Sequence, residues 1–308
     1  MFSTPIAAAR LFLSVVITLI GLKIAVGAIT GSISIWAQAA DSSLDLLAAI
    51  ITFIAVGFST KPADKEHPFG HGKIENIAAS VQTVLMIGTA GSIIYAAIQR
   101  IMSGAIIELT EAGIGVMLLS MIASILLSRY LFRIARSTGS VALEANARML
   151  TGDIYSNAGV MIGLVVVRFT GLYIIDSVLA LIVALLILIM AYRMSRMAFG
   201  PLVDVSLPQQ EQEELFSCIR EHRDQLVGFH AVRTRTAGSQ RFIDLHLLMP
   251  RNASVEEAHQ MCDHLEQDIK RRLPNSSITI HVEPCETECE ECAVSSCNLK
   301  INVMQPGH

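Results

Sequence analysis

Charged residues are scarce in this sequence. Only 16% of its 308 residues are charged, whereas soluble proteins carry roughly 25%. Hydrophobic residues make up 52% of the chain, and the mean hydropathy is +0.53. The net charge of −4 says little in so apolar a chain, and nothing in the sequence suggests nucleic-acid binding. We therefore exclude an ordinary soluble protein and expect the lipid bilayer to surround much of the chain.

Histidine is absent from every long apolar stretch, although the chain has nine histidines. A membrane-spanning helix needs about 20 mostly apolar residues. The sequence predicts six such spans, at 6–28, 32–58, 76–102, 112–134, 144–169 and 172–197. No cleavable signal peptide is evident ahead of them.

Basic residues predict the orientation of the spans. They collect in the connections 59–75 and 129–140 and after the sixth span, whereas the connection 28–32 has no charge. Because cytoplasmic loops carry an excess of lysine and arginine, both termini are predicted to be cytoplasmic.

Composition changes abruptly near Gly200-Pro201. We predict a six-helix transmembrane domain, then a cytoplasmic α+β domain of order αββαβ, then a cysteine-rich tail. Their predicted bounds are 1–205, 206–284 and 285–308. Ser254 and Glu257 predict a capping box at the start of the second helix of the α+β domain.

Three aspartates stand within the apolar spans. Asp41 and Asp45 are one turn apart in the second span, and Asp153 shares a face of the fifth span with Met149 and Asn157. Charged groups at membrane depth are costly and usually functional. A divalent cation is the natural occupant of such a site. Since metal ligation needs deprotonated carboxylates, binding would release protons.

A simpler role for these aspartates remains open. They would then cap broken helices or pair with Arg148 or Lys23.

The connection after the second span has a second group of metal-type ligands. Asp64, His67 and His71 lie in the run KPADKEHPFGHGK. Imidazole and carboxylate groups suit zinc-class ions. Alternatively this is a plain polar loop, in which Gly70 and Gly72 serve only the turns.

The α+β domain has a third group. His246 lies on one strand, His281 and Glu283 share a face of another, and His230 starts the first strand. If these faces coincide, the sheet presents three imidazoles and a carboxylate, with His259 on a nearby helix. The alternative is that they are ordinary surface residues.

Four of the six cysteines crowd into the tail: Cys285, Cys289, Cys292 and Cys297. Their spacing matches no standard zinc or iron–sulfur pattern fully. The tail either captures or senses a soft metal, or is unstructured with incidental thiols.

Several motifs together resemble the cation diffusion facilitator family over about residues 8–285. They are DSSLD, PADKEHPFGHGKIEN, EANARMLTGDIYSNAG, RFIDLHL and ITIHVEPC. The resemblance implies a homodimeric, proton-coupled exporter of divalent transition metals in a bacterial cytoplasmic (inner) membrane. It also implies six membrane helices and a metallochaperone-like cytoplasmic domain.

The resemblance assigns three metal sites. The transport site would comprise Asp41, Asp45, Met149 and Asp153; the loop site Asp64, His67 and His71; and the cytoplasmic binuclear site His230, His246, His281 and Glu283, with His259 alongside. Lys73 and Asp204 match the family's interlocking charges at the dimer hinge.

Met149 departs from the family pattern, which has histidine here in zinc transporters and commonly aspartate in manganese transporters. A thioether is a soft, neutral ligand. Either Met149 ligates and favours a softer ion, or Asn157 or water completes an oxygen-rich site suited to Fe(II) or Mn(II). At Glu283 the zinc exporters usually have aspartate.

We therefore predict a secondary active transporter and not an enzyme, without a catalytic cofactor. Divalent metals of the Zn, Fe(II), Mn, Co or Cd class would be both substrate and regulator. Two alternatives remain: a transport-deficient metal-sensing or assembly protein of the same fold, and an intramembrane aspartyl protease. The protease would need its two aspartates on different helices, whereas Asp41 and Asp45 share one.

Overall fold

The computed structural model describes residues 4–30, 33–103, 111–170 and 174–285. The chain divides into two compact units between Leu202 and Val203. Within the described residues, the first unit has six α-helices: Pro5–Thr30 (α1), Ile33–Ser59 (α2), Lys73–Ser103 (α3), Glu111–Thr138 (α4), Val141–Thr170 (α5) and Ile174–Phe199 (α6). A short 3₁₀ turn, Gly200–Val203, follows α6.

The helices match the six predicted spans to within four residues at either end. Among the described residues, five are long and apolar enough to cross a bilayer, and α5 is the exception. The first half of α5 carries Glu144, Arg148 and Asp153, which lower its hydropathy. Its charges are those expected of a helix that faces a polar site inside a membrane protein.

A buried polar cluster joins three of these helices. Thr52 Oγ1 on α2 accepts hydrogen bonds from Gln82 Nε2 on α3 and from Asn146 Nδ2 on α5, each at 2.5 Å. All three side chains have zero exposure. Because buried polar groups must find partners, this cluster fixes how the three helices meet.

A second contact shows that α2 and α5 are antiparallel. Glu75, at the start of α3, is only 4% exposed. Its carboxylate accepts hydrogen bonds from Ser59 Oγ at 2.7 Å, from Ser140 Oγ at 2.7 Å and from the Ala142 amide at 3.3 Å. The end of α2 and the beginning of α5 therefore lie beside the same carboxylate.

The second unit is an αββαβ domain. Its elements are Gln209–Glu221 (α7), Gly228–Ala237 (β1), Gln240–Met249 (β2), Val255–Arg272 (α8) and Ser276–Pro284 (β3). The sheet order is β1-β2-β3, with β1 antiparallel and β3 parallel to the central β2. A helical membrane domain followed by this small mixed domain confirms the predicted fold class.

The core of the second unit lies between the helices and one face of the sheet. Leu245 and Leu247 of β2 pack with Leu215 of α7 and Leu265 of α8, and each side chain is at most 1% exposed. Successive side chains of a strand point to opposite faces. His246, between the two leucines, therefore points away from the helices.

The predicted capping box at the start of α8 is present. Ser254 Oγ accepts a hydrogen bond from the Glu257 amide at 3.2 Å, and Glu257 Oε2 accepts one from the Ser254 amide at 2.7 Å. The hydrogen bond from the Ser254 amide is the main reason that the pKa of Glu257 lies below its ordinary value. This reciprocal pair satisfies two donors that would otherwise be orphaned at the helix end.

The sequence places Cys285 in the tail, but in the structure it belongs to the folded domain. Its amide donates to the Met249 carbonyl at 2.9 Å, and its side chain is 2% exposed. The β2–β3 pairing continues through Pro284, so Cys285 directly follows the last paired residue and lies against the domain. Cys289, Cys292 and Cys297 lie outside the described residues.

The polar cluster yields a stability prediction. Replacing Thr52 by valine keeps the shape but removes the acceptor shared by Gln82 and Asn146. We expect Thr52→Val to destabilise the membrane unit by about 1 to 3 kcal/mol, because two buried amides lose a partner. Unfolding in mixed detergent micelles measures this change. Thr52→Ser keeps the hydroxyl and should stay near the parent, so equal stabilities for the valine and serine variants would contradict the role given to the cluster.

Candidate metal centres

The hydrogen bond between Thr52 and Asn146 fixes the relative heights of the intramembrane aspartates along the axes of α2 and α5. Asp45 lies seven residues before Thr52, and Asp153 lies seven residues after Asn146. Since α2 and α5 are antiparallel, both steps run in the same direction. Each covers about 10.5 Å along its helix at a rise of 1.5 Å per residue. The two aspartates therefore lie level with each other on the facing helices.

The other members of the predicted transport site occupy neighbouring levels. By the same count Asn157 lies level with Asp41; the side chain of Asp41 is outside the described part of the structure. Asp45, Asp153 and Asn157 are half-buried. The helix register thus gives the relative heights of these residues, and their joint binding of a metal stays a prediction.

Met149 lies one turn from Asp153, toward the Asn146 end of α5. It is 6% exposed and belongs to an apolar cluster that includes Ala48, Met86 and Ile187. The apolar side chains in this cluster come from α2, α3 and α6 as well as from α5.

The two candidate pairing partners of the aspartates differ in position. Arg148 Nη2 binds Glu144 Oε1 at 2.6 Å, one turn earlier on α5. Lys23 of α1 is 9% exposed and donates from Nζ to Ser42 Oγ at 2.6 Å. A buried ammonium group therefore reaches α2 at the residue next to Asp41.

The loop between α2 and α3 gathers Asp64, His67 and His71. Asp64 Oδ1 lies 3.5 Å from His67 Nδ1, and Asp64 Oδ2 lies 3.5 Å from His71 Nε2. One ligand atom from each residue falls within 4.8 Å of the others. The donor set and spacing are compatible with a zinc-class ion.

Backbone hydrogen bonds hold this loop in shape. Asp64 Oδ1 accepts from the amides of His67, at 2.7 Å, and Glu66, at 3.0 Å. The bond from the His67 amide is the main reason that the pKa of Asp64 is lowered. Gly70 has a φ of 80°, which glycine tolerates without strain. His71 is buried, and its Nδ1 makes no hydrogen bond within the described residues.

The sheet of the C-terminal domain places three histidines side by side. His230 is opposite His246 across β1 and β2, and His246 is opposite His281 across β2 and β3. The ring centroids are 5.1 Å apart in the first pair and 4.9 Å in the second. Directly paired residues of neighbouring strands project from the same face of a sheet. The row is thus a consequence of strand register.

Glu283 completes a cluster with two of these histidines. Its Oε2 lies 2.8 Å from His230 Nε2, and its Oε1 lies 2.8 Å from His246 Nδ1. The hydrogen bond from His230, followed by that from His246, lowers the pKa of Glu283. One ligand atom from each of these three residues falls within 4.8 Å of the others.

The remaining predicted ligands of this domain lie further out. His281 Nε2 is 3.7 Å from Glu283 Oε1, so it borders the cluster. His259 on α8 is 74% exposed and pairs with Asp263 at 3.5 Å. The structure therefore does not bring His259 into the three-ligand group.

Two polar residues of the membrane unit escaped the sequence prediction. Glu75 connects α2, α3 and α5, and it lies just after the loop that carries the candidate ligands Asp64, His67 and His71. Thr52 joins α2 to α3 and α5. Their only obvious sequence signal was a polar residue within or beside an apolar stretch, although Thr52 lies two turns after Asp45 on the same face of α2.

The predicted charge interlock involves both units. Lys73 begins α3 in the membrane unit, and Asp204 follows the 3₁₀ turn, where its Oδ1 lies 3.4 Å from Arg235 Nη1. The interlock between Lys73 and Asp204 stays a prediction.

Helices of membrane-spanning length, aspartates at the same height on two of these helices and an appended small domain are typical of a multi-pass membrane transporter. Family models agree over most of the chain. Residues 9–203 match the cation efflux transmembrane domain, and residues 207–285 match the cytoplasmic domain of cation efflux proteins. The chain belongs to the cation efflux family, also called the cation diffusion facilitators. This membership makes it a transporter and not an intramembrane protease.

Individual relatives cover most of the chain. An uncharacterised transporter of Synechocystis sp., sll1263, is 33% identical over 266 residues, which are 86% of each chain. The cation-efflux pump FieF of Salmonella paratyphi A is 35% identical over 256 residues, or 83% of this chain and 85% of the relative. A solved structure of CzrB, described as a candidate zinc transporter, is 37% identical and covers 26% of this chain and 99% of its own, with a TM-score of 0.25.

Proposed function

We propose that this protein exports divalent transition-metal cations from the cytoplasm in exchange for protons. The observation that carries the proposal is the level placement of Asp45 and Asp153 on antiparallel helices. The sequence relation to cation-efflux pumps supports the export direction. In this proposal both termini are cytoplasmic, the membrane is the bacterial inner membrane, and the protein acts as a homodimer.

The charges of the site support a dication as cargo. Three carboxylates, from Asp41, Asp45 and Asp153, and the buried ammonium of Lys23 have a formal net charge of minus two. One divalent cation neutralises that charge, and so do two protons. Metal ligation requires deprotonated carboxylates, so cation and protons compete for the same oxygens. This competition is the physical basis of an antiporter.

Alternating access would convert the competition into transport. A cation from the cytoplasm displaces protons, the helix bundle changes its open side, and protons from outside displace the cation. Thr52, Gln82 and Asn146 tie α2, α3 and α5 together two turns away. We infer that these helices move together and that the aspartates stay level during the change.

The position of Met149 bears on which metal is carried. Its apolar neighbours, Ala48, Met86 and Ile187, support the second of the two roles considered from the sequence. In that role Met149 stands aside and Asn157 or water completes the coordination. An oxygen-rich site suits Fe(II) or Mn(II) better than a site with nitrogen or sulfur ligands does.

The peripheral clusters have regulatory roles in this proposal. The Asp64 loop and the His230, His246 and Glu283 group would bind the same class of metal as the cargo. If metal binds the C-terminal domain more tightly in one state of the dimer, it shifts the population toward that state. The Lys73–Asp204 interlock would transmit the shift.

The first test removes one carboxylate from the transport site. In Asp45→Asn the side chain keeps its size but loses its charge and its exchangeable proton. We expect the initial rate of metal transport in proteoliposomes to fall by at least the roughly 10- to 100-fold that loss of an outer-shell partner of a metal site typically costs, because Asp45 is a proposed ligand. A metal indicator and a pH indicator recorded together should show both fluxes fall.

Glu144→Gln is the matched control, because it removes a carboxylate of α5 that binds Arg148 outside the site. It should retain both fluxes. Parental transport by Asp45→Asn would contradict the proposal. Metal binding by the parent without any flux would favour the transport-deficient alternative.

The second test concerns Met149. Met149→Leu keeps the apolar packing and removes the sulfur, so transport and metal preference should stay at the parental level. Met149→His adds a borderline ligand and should shift preference toward zinc relative to Fe(II) and Mn(II). Competition between these ions in proteoliposomes measures both outcomes. Loss of transport in the leucine variant would show that the thioether is a ligand.

A further inference from the structure

A second histidine–carboxylate cluster lies in the C-terminal domain, on its helical layer. His222 is the C-cap residue directly after α7, and His264 and Asp268 are one turn apart on α8. These residues belong to neither the sheet cluster around Glu283 nor the candidate ligands derived from the sequence. The sheet cluster projects from the face of β2 that carries His246, which points away from the helices.

The three side chains converge on one oxygen atom. Asp268 Oδ2 lies 3.1 Å from His222 Nε2 and 3.5 Å from His264 Nε2. One ligand atom from each residue falls within 4.8 Å of the others. In a tetrahedral zinc site with bonds of about 2.0 to 2.1 Å, neighbouring ligand atoms are roughly 3.3 Å apart. The two observed separations bracket that value.

The two ring nitrogens of His222 have different partners, and Nε2 is the one directed at Asp268. Its Nδ1 lies 2.9 Å from the Cys218 carbonyl oxygen, which only accepts, so Nδ1 carries a proton. Its Nε2 lies 3.1 Å from Asp268 Oδ2, so one metal ion can bind both atoms. Histidine ligands of metals usually donate their other N–H to a carbonyl or carboxylate in this way.

Burial strengthens the attraction of the Asp268 carboxylate for a cation at this position. The His222 side chain is 8% exposed and that of Asp268 is 20% exposed, so water screens them weakly. Arg271 Nη1 lies 3.1 Å from the other oxygen, Asp268 Oδ1, but its side chain is 72% exposed. Arg272 pairs with Glu221. Oδ2 is thus the oxygen that faces the two imidazoles.

We propose that His222, His264 and Asp268 form an additional metal site for a borderline divalent cation of the zinc class. Two imidazoles and one carboxylate are a donor set that such cations prefer, with water at the remaining position. The bound ion would fasten the end of α7 to α8. This site is separate from the sheet cluster and does not depend on the proposed transport function.

The test counts bound zinc in the full-length protein in detergent micelles. After equilibrium dialysis at a chelator-buffered free zinc concentration, mass spectrometry gives zinc ions per chain. His264→Gln and Asp268→Asn should each bind one ion fewer than the parent. Glu266→Gln, which removes an α8 carboxylate paired with Lys270, should bind as many as the parent. His264 is half-exposed, so its replacement preserves folding, which circular dichroism of the metal-free protein verifies.

A second comparison separates this site from the others. Glu283→Gln should remove zinc from the sheet cluster, and the Glu283→Gln/His264→Gln double variant should lose the sum of the two single losses. Undiminished zinc binding by His264→Gln and Asp268→Asn would overturn the proposal, as would a double variant that loses no more than Glu283→Gln alone. Because the readout is binding, a failure of transport in proteoliposomes would leave this result unaffected.

Discussion

The hydroxyl of Thr52 is the contact on which the membrane site depends. It accepts from Gln82 and Asn146 where water is excluded, so α2, α3 and α5 cannot slide past one another without leaving buried amides unpaired. Glu75 fixes the same helices nearer their ends. With both contacts in place, helix geometry alone brings Asp45 level with Asp153.

In the C-terminal domain, strand register places the candidate metal ligands beside one another. Pairing within the sheet aligns His230, His246 and His281 at one level, and Glu283 binds two of them. A slip of one residue would turn a strand's histidine toward the apolar core. The alternating leucines of β2 hold the register because only one face can be buried against α7 and α8. Burial of the β2 leucines therefore determines both the packing of this domain and the placement of its candidate ligands.

Features with short-range causes could be predicted from the sequence. The six helices follow from long apolar runs, and the Ser254 cap and the alternation of β2 follow from local patterns. The convergence of His222 on Asp268 could not be predicted, because the residues are 46 positions apart and share no motif. Glu75 and Ser140 are 65 positions apart and were missed for the same reason. Cys285 was assigned to the tail because three further cysteines follow it in the sequence. In the structure β3 continues to Pro284, so Cys285 lies against the folded domain.

The level placement of Asp45 and Asp153 is tested most directly by cross-linking. A pair of cysteines at these positions, in a chain whose natural cysteines are replaced by alanine, should react with a short bifunctional thiol reagent. After cleavage between α3 and α4, the two fragments should remain joined. The control pairs position 45 with Tyr155, which is two residues beyond Asp153, on a different face of α5, and is 44% exposed. We predict that the 45–153 pair cross-links and the 45–155 pair does not. Equal or preferential cross-linking of the control pair would contradict the helix register and the metal site built on it.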